Sequence, residues 1–305
     1  MKAFRNAALG VTIAVMTAGA AAAHPIDTCK AAAKGLAQIA TPKTVEATPS
    51  GGCLFRDLTI VMSPRMQFHV DDIETGPLAG AVLTPDKLSE LHAVARHIRF
   101  QAQTQQPLIN FILSAQTRPF SMAIDYRFDA ANGRLDLQRF LVTSPELGDF
   151  RLSATLQGLH AADLTRPPTQ LPPEAGLTSI DLEMDNKGLF EGLALAPMAT
   201  LLLHDQTDPA AAFAEMNAKS TAATTRLLTQ AGASRATIQA IAAFNATFPK
   251  PRGRFHMHAD FPAPLTRSDV AALLGKGDDQ AAALKKWSAL TATYTPPPPE
   301  PQLAP

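Results

Sequence analysis

The sequence predicts an α+β fold in which helices cover a largely antiparallel, curved β-sheet. Three observations carry this prediction. Hydrophobic and polar residues alternate through residues 54–159 and again at 178–185, as they do in strands with one buried face. Asn132-Gly133 separates two such runs, which is typical of a tight β-hairpin. Residues 209–248 carry hydrophobic side chains at helical spacing instead, so the second half contributes helices.

Length and charge set the first limits on function. The chain has 305 residues, of which 46% are hydrophobic, and 27 Lys and Arg residues balance 27 Asp and Glu residues. A surface that binds nucleic acid needs a basic stripe to replace the counterions of the phosphates, and this composition indicates none. We therefore expect no nucleic acid among the partners. A chain of this length fits one large domain or two smaller ones.

The N-terminus has the three parts of a secretory signal peptide. Lys2 and Arg5 form a basic region, residues 7–20 are free of charge and mostly apolar, and residues 21–23 are alanines that suit a signal peptidase. An uncleaved membrane anchor fits less well, because a bilayer-spanning helix needs about 20 apolar residues. The sequence thus predicts a signal peptide over residues 1–23 and a periplasmic or secreted protein with no transmembrane span after cleavage.

The predicted export favours a disulfide between the two cysteines, because disulfides form in oxidising compartments. Cys29 and Cys53 both follow the predicted cleavage site, and we expect them to pair. Residues 31–40 have the composition of a helix and residues 41–52 that of a loop, so the bridge would tie an N-terminal helix to the first strand. A reactive or metal-binding pair is the alternative, but neither a Cys-x-x-Cys motif nor an adjacent histidine supports it.

Strands dominate the first half of the mature chain. Alternation predicts them at residues 54–62, 66–73, 91–100, 108–115, 122–129, 134–143 and 150–157. The last three form a meander, because they are joined by Asn132-Gly133 and by a second turn at residues 144–148. The run at residues 91–100 also admits a helix, since Pro85-Asp86-Lys87 can begin one.

The second half mixes strands and helices. Strands are predicted at residues 178–185, 255–261 and 290–294, and helices at 209–231, 234–248 and 270–274. Ser234 can cap the second helix, and Thr266 or Ser268 the third. An acidic row at Asp181, Glu183 and Asp185 lacks the glycine and the curled loop of a calcium site, so we interpret it as a solvated face.

The predicted organisation has five parts. They are a signal peptide (1–23), a disulfide-tethered β-rich region (24–165), a Pro-rich connection (166–177), a mixed strand and helix region that completes the same fold (178–295), and a disordered Pro-rich tail (296–305).

Catalytic motifs are missing from the sequence. It contains no G-x-S-x-G elbow, no P-loop, no G-x-G-x-x-G fingerprint and no H-E-x-x-H helix. A triad can also assemble from distant residues, so this absence favours a non-catalytic role without deciding it. The sequence predicts no catalytic residue and no cofactor.

Three histidines are candidate metal ligands. His256 and His258 share one face of a predicted strand, a spacing that suits zinc or copper when a third ligand converges. Arg254 and Asp260 lie on that face too, which favours a solvent-exposed polar surface instead. Cleavage after Ala23 would make His24 the mature N-terminus, where its amine and ring nitrogen can chelate copper together. The sequence favours no metal site, and these residues define the alternative.

The strand-rich middle of the chain also resembles segments of other proteins. The run RLDLQRFLVTSPELGDFRLSATLQGL at residues 134–159 resembles the repetitive β segments of exported proteobacterial proteins of AsmA-like character. The resemblance implies sheets that curve into grooves and a role in handling envelope lipids, and it supplies no catalytic residues. AsmA-like proteins usually keep a membrane anchor, whereas this chain is predicted to lose its own, which speaks against a role in bridging membranes.

These observations favour an exported, non-catalytic binding or scaffold protein of the cell envelope. Helices over residues 209–248 either complete the core or gate a cavity on the concave face of the sheet. The expected partner is an apolar small molecule or a component of the envelope. A copper- or zinc-binding protein that uses His24 or His256 and His258 is the alternative, and an unrecognised hydrolase is a further one.

Overall fold

The ten strands form one antiparallel meander. They are β1 (Ala40–Ala47), β2 (Cys53–Ser63), β3 (Met66–Thr75), β4 (Glu90–Ala102), β5 (Phe120–Asp129), β6 (Arg134–Ser144), β7 (Gly148–Gln157), β8 (Gly176–Asn186), β9 (Gly253–Thr266) and β10 (Thr291–Thr295). Each strand hydrogen-bonds to its neighbours in sequence order, so β1 and β10 are the two edges. The computed structural model describes residues 25–37, 40–63, 66–77, 89–102, 108, 118–165, 170–191, 207–273, 280–287 and 289–298. The predicted α+β class and antiparallel meander are confirmed.

The α-helices with both ends in the described residues are α1 (Pro25–Leu36), α2 (Pro209–Gln230), α3 (Arg235–Asn245), α4 (Arg267–Leu273) and α5 (Gln280–Trp287), and a 3-10 helix spans Ala161–Thr165. Side-chain caps begin three of them. Asp208 accepts a hydrogen bond from the amide of Ala211, and Ser234 accepts one from the amide of Thr237. Thr266 accepts one from the amide of Asp269 at 3.3 Å. Such caps satisfy backbone donors that have no partner inside the helix, and the predicted caps Ser234 and Thr266 are confirmed.

The chain divides into two compact units. Unit 1 consists of Met1–Thr143 and Thr155–Gly176, and unit 2 of Ser144–Ala154 and Leu177–Pro305. In unit 1, α1 packs against β1 and β2. In unit 2, α3 packs against β10, both α4 and α5 contact β9, and α2 contacts α3 and α5.

Each unit buries its own apolar side chains. In unit 1, Leu58 and Val70 are cross-strand partners with no exposed surface. In unit 2, the ring of Phe244 from α3 stacks on Phe255 of β9, with ring centroids 4.3 Å apart. Met184 and Ala292 complete that cluster, so the helix and the strands on which it packs share one core.

The N-terminal region corrects two predictions. The loop predicted for residues 41–52 is wrong, because β1 occupies Ala40–Ala47. Pro42 and Lys43 are typical of an edge strand and interrupt the alternation on which strand prediction relies. The predicted helix at residues 31–40 begins earlier, at Pro25, and ends at Leu36. The disulfide consequently ties α1 to the second strand of the sheet and not to the first.

Other predictions have mixed outcomes. Residues 91–100 are confirmed as part of β4, and the helix start considered at residues 85–87 lies outside the described residues. The strand predicted at 108–115 lies outside them too, except for Leu108, as do the signal peptide and residues 299–305. α5 has no counterpart among the predicted helices, because its eight residues are too few to show a helical period.

A substitution at Gly148 tests how closely two backbone segments of unit 2 approach each other. The φ of Gly148 is +99°, and a Cβ there would lie 1.9 Å from the carbonyl oxygen of Asp185. Gly232 has a comparable φ of +77° with nothing within 4 Å of the same position. We expect G232A to lose about 1 kcal/mol of unfolding free energy from backbone strain, and G148A to lose roughly 1–3 kcal/mol more from the clash. Urea unfolding measures both, and equal losses would contradict the close approach.

Candidate functional site

The predicted disulfide is present. Cys29 of α1 and Cys53 of β2 are bonded, their Cα atoms lie 5.4 Å apart, and both side chains are buried. The chain has no other cysteine. A buried, bonded pair has no thiolate to offer as a nucleophile or metal ligand, so the role of these residues is structural.

His256 and His258 meet an acidic residue of the neighbouring strand. The Oδ2 atom of Asp181 in β8 lies 3.0 Å from Nε2 of His256 and 3.1 Å from Nδ1 of His258. The Nε2 atom of His258 lies 3.2 Å from Oδ2 of Asp260. Both rings are a little under half exposed. The sequence placed the two histidines on one face but did not anticipate Asp181, which comes from a distant part of the chain.

Hydrogen bonding accounts for this cluster. A carboxylate oxygen only accepts, so His256 donates from Nε2 and His258 from Nδ1. A bond from His258 to Asp260 as well requires a second proton on that ring or a proton on the carboxyl. Within the described ranges, no three His, Cys, Asp or Glu side chains form a group that could hold a metal ion. His24 lies outside those ranges.

Four strands of unit 1 carry an aligned row of polar residues that the sequence analysis missed. The row consists of Lys43 in β1, Asp57 in β2, Asp71 in β3 and His97 in β4, and we name it the polar row. Each of these residues lies between two cross-strand pairs and is not itself part of one. Around Asp57, for example, the two pairs are Arg56↔Asp72 and Leu58↔Val70. The row ends at β5, where the amide of His97 donates to Oγ of Ser121 at 3.3 Å.

Two members of the polar row have a strained backbone. Asp57 has a φ of 53° and His97 a φ of 51°, and these are the only non-glycine residues with positive φ in the described part of the chain. Such conformations cost on the order of 1 kcal/mol or more per residue and persist only where surrounding contacts hold them.

Ion pairs link the strained residues. The Nε2 atom of His69 lies 3.5 Å from a carboxylate oxygen of Asp57 and 3.5 Å from one of Asp71. The Nδ1 atom of His97 lies 3.2 Å from Asp71, whose carboxylate also pairs with Arg99 at 3.1 Å. Lys43 donates to Asp57, and this hydrogen bond lowers the pKa of the Asp57 carboxyl. Every carboxylate of the polar row therefore has a cationic or imidazole partner.

The sequence does contain a signal for the polar row. Residues on one face of a regular strand are separated by even numbers. In β2, β3 and β4, however, two apolar residues are three positions apart and enclose two polar residues. These apolar pairs are Phe55 and Leu58, Val70 and Ile73, and Ala95 and Ile98. An inserted residue explains this spacing, because a bulge lets two adjacent side chains share one face.

The two faces of β3–β6 differ in chemistry. Cross-strand pairing places apolar side chains in three successive rows on one face: Ile73, Ala95, Met122 and Val142; Ala93, Ile124 and Phe140; Leu91, Tyr126 and Leu137. We name this the apolar face. Val142 is buried and the others are half-buried. In the described part of unit 1, α1 packs against β1 and β2.

Charged side chains occupy most of the opposite face, beside an apolar row of Val94, Ala123 and Leu141. His92, Asp125 and Arg139 form one row there, and Glu90, Arg127 and Asp136 the next. Arg139 donates to Asp125 at 2.5 Å, and Arg127 lies 3.7 Å from Glu90. Several of these residues line an open groove of about 360 Å³, together with Tyr126, whose pKa is raised by burial. The titratable side chains of opposite kind in this lining contact each other, His92 with Asp125 and Arg127 with Glu90.

No family model matches the chain, and a search of curated proteins finds no match either. No helix among the described residues is long and apolar enough to cross a membrane. The geometry and the sequence therefore carry the functional argument.

His97 offers a test of the strained conformation. Replacement by alanine removes the imidazole and keeps the strain, whereas replacement by glycine removes both. We expect H97G to be more stable than H97A by about 1 kcal/mol. Arg99 is the control, because it lies in the same strand with ordinary backbone angles. There the order should reverse, with R99G less stable than R99A by about 0.5–1 kcal/mol. The same order at both positions in urea unfolding would rule out the positive φ of His97.

Proposed function

We propose that this protein is an exported, non-catalytic binding protein of the cell envelope that holds an apolar ligand against the apolar face. One observation carries the proposal. On one face of β4–β6 three successive rows of side chains are apolar, and the first of them extends to Ile73 of β3, while the opposite face carries rows of charged side chains beside a single apolar row. A continuous apolar surface gains about 25 cal/mol for each Å² removed from water, so it favours an apolar partner.

The charged face supports the assignment of the ligand to the apolar face. Its arginines are held by carboxylates, as when Arg96 donates to Asp72 at 2.5 Å and to Glu74 at 2.7 Å. These bonds raise the pKa of the Arg96 guanidinium. A ligand that docked there would have to replace ion pairs, whereas the apolar side chains of the other face form none.

Export rests on the sequence and on the disulfide. The three-part leader at residues 1–23 predicts secretion, and a bonded cysteine pair is typical of oxidising compartments. The copper or zinc alternative gains no supporting observation at His256 and His258, because Asp181 already accepts hydrogen bonds from both rings. The hydrolase alternative gains none either.

Intact mass spectrometry of the protein recovered from the periplasm tests export. We expect a chain that begins at His24 and has a mass two hydrogens below that of its reduced form, because the signal peptide is removed and the two thiols are joined. A cytoplasmic preparation of the same chain is the control. A chain that begins at Met1, or thiols that react with iodoacetamide before reduction, would contradict export.

Binding of a fluorescent long-chain fatty acid tests the apolar face. Ile124→Thr places a hydroxyl on that face and shortens the side chain by one carbon atom, and Val94→Thr places a hydroxyl at nearly constant volume in a half-buried residue on the opposite face. We expect Ile124→Thr to weaken binding about tenfold, which corresponds to about 1.4 kcal/mol, and Val94→Thr to change it less than about twofold. Equal effects of the two variants, or no binding by the wild-type chain, would overturn the proposal.

A further inference from the structure

The two edge strands of the sheet differ in chemistry. An exposed edge offers unpaired backbone donors and acceptors to another strand, and proteins usually protect it with proline or charged residues. β1 has both kinds of protection, in Pro42, Lys43 and Glu46. β10 has the sequence Thr-Ala-Thr-Tyr-Thr, with no charge, proline or glycine, and in the described residues it pairs only with β9. Within the strand itself β10 therefore has none of these protecting residues, and only its length of five residues and the prolines that follow it limit the edge.

We propose that β10 is an interface at which a second copy of this chain adds its own β10, antiparallel and centred on Thr293. Strand addition of this kind satisfies the outer backbone groups of both copies at once. A two-fold axis at Thr293 makes the contact isologous, so it closes as a dimer and does not propagate. The proposal is independent of the ligand proposed above.

The side chains of β10 are self-complementary in this register. Thr293 faces its own copy, Thr291 faces Thr295 of the second copy, and Ala292 faces Tyr294 of the second copy. The three threonines are exposed and lie on one face, where Thr–Thr pairs are favourable. On the other face Ala292 is buried and Tyr294 is half-buried, so a small side chain is placed opposite a large one.

The strand is held in place before it meets a partner. The hydroxyl of Tyr294 donates to the carbonyl of Arg252 at 2.8 Å, and its ring contacts Phe244 of α3 with centroids 5.8 Å apart. The hydroxyl of Thr291 donates to the carbonyl of His258 at 3.2 Å. A strand that is already ordered loses little entropy on pairing.

Proline ends the interface and fixes its register. Residues 296–298 are prolines that follow β10 directly and adopt no regular structure. Proline has no amide hydrogen, so the ladder between two copies is confined to the five residues of β10. A ladder this short buries little area, and we expect a weak dimer that dissociates on dilution.

Sedimentation velocity over about a hundredfold range of concentration tests the interface, because a weak dimer shifts with dilution. Thr293→Lys places two like charges opposite each other at the two-fold axis, and we expect this variant to be monomeric throughout. Thr41→Lys is the matched control, an exposed threonine on the other edge strand, and it should dimerise as the wild type does. Thermal melts confirm that both variants fold. A wild type that is monomeric throughout, or a T293K variant that still dimerises, would overturn the proposal.

Cysteine cross-linking tests the register separately. T293C should form an intermolecular disulfide under mild oxidation, because directly opposed residues have Cβ atoms about 5 Å apart. T291C should cross-link with T295C when the two are mixed and not with itself, since the two copies of residue 291 would lie about 13 Å apart. The native cysteines are already bonded and do not interfere. Cross-linking of T291C with itself and none of T293C would overturn the register.

Discussion

A meander sheet depends on one constraint, which is that every strand must present its apolar residues to the same face. Side chains alternate between faces, so one inserted residue moves all later residues of a strand to the other side unless a bulge absorbs it. The spacing of the apolar residues indicates such an insertion in β2, β3 and β4, at Asp57, Asp71 and His97, and the register between β4 and β5 shifts between Ala95 and Ile98. Because the insertions lie side by side, the register between these strands is kept and the apolar side chains stay on one face.

The polar row results from these aligned insertions, and the strained backbone at two of its residues is the energetic cost of the insertions. Each bulge directs two adjacent polar side chains to the charged face, and at Asp57 and His97 the backbone adopts a conformation that suits glycine better. The links from Asp71 to His97 and Arg99 hold one strained segment against the next strand. Strain of this kind is often found at functional sites, but here the demand of the sheet explains it without a ligand.

Sequence alone predicted most strands and two helix caps, because alternation and capping are local. It missed β1, whose proline and lysine protect an edge and leave too few apolar residues to alternate. It also missed the contact between Asp181 and the two histidines, which depends on the register of β8 against β9 and has no local signal. The polar row lies between these cases. Its signal is local in each strand, but it becomes meaningful only when three neighbouring strands are compared.

The binding that we propose for this protein relies on short-range forces. The chain has no net formal charge, and the charges on the strands of unit 1 are paired with neighbours, as Asp125 is with Arg139. Paired charges produce little field at a distance, so they neither steer a ligand nor accelerate its approach. Apolar burial and backbone hydrogen bonding do not need such a field. These are the two kinds of contact that the proposed ligand site on the apolar face and the proposed pairing of β10 would use, and each acts only once the partner has reached the surface.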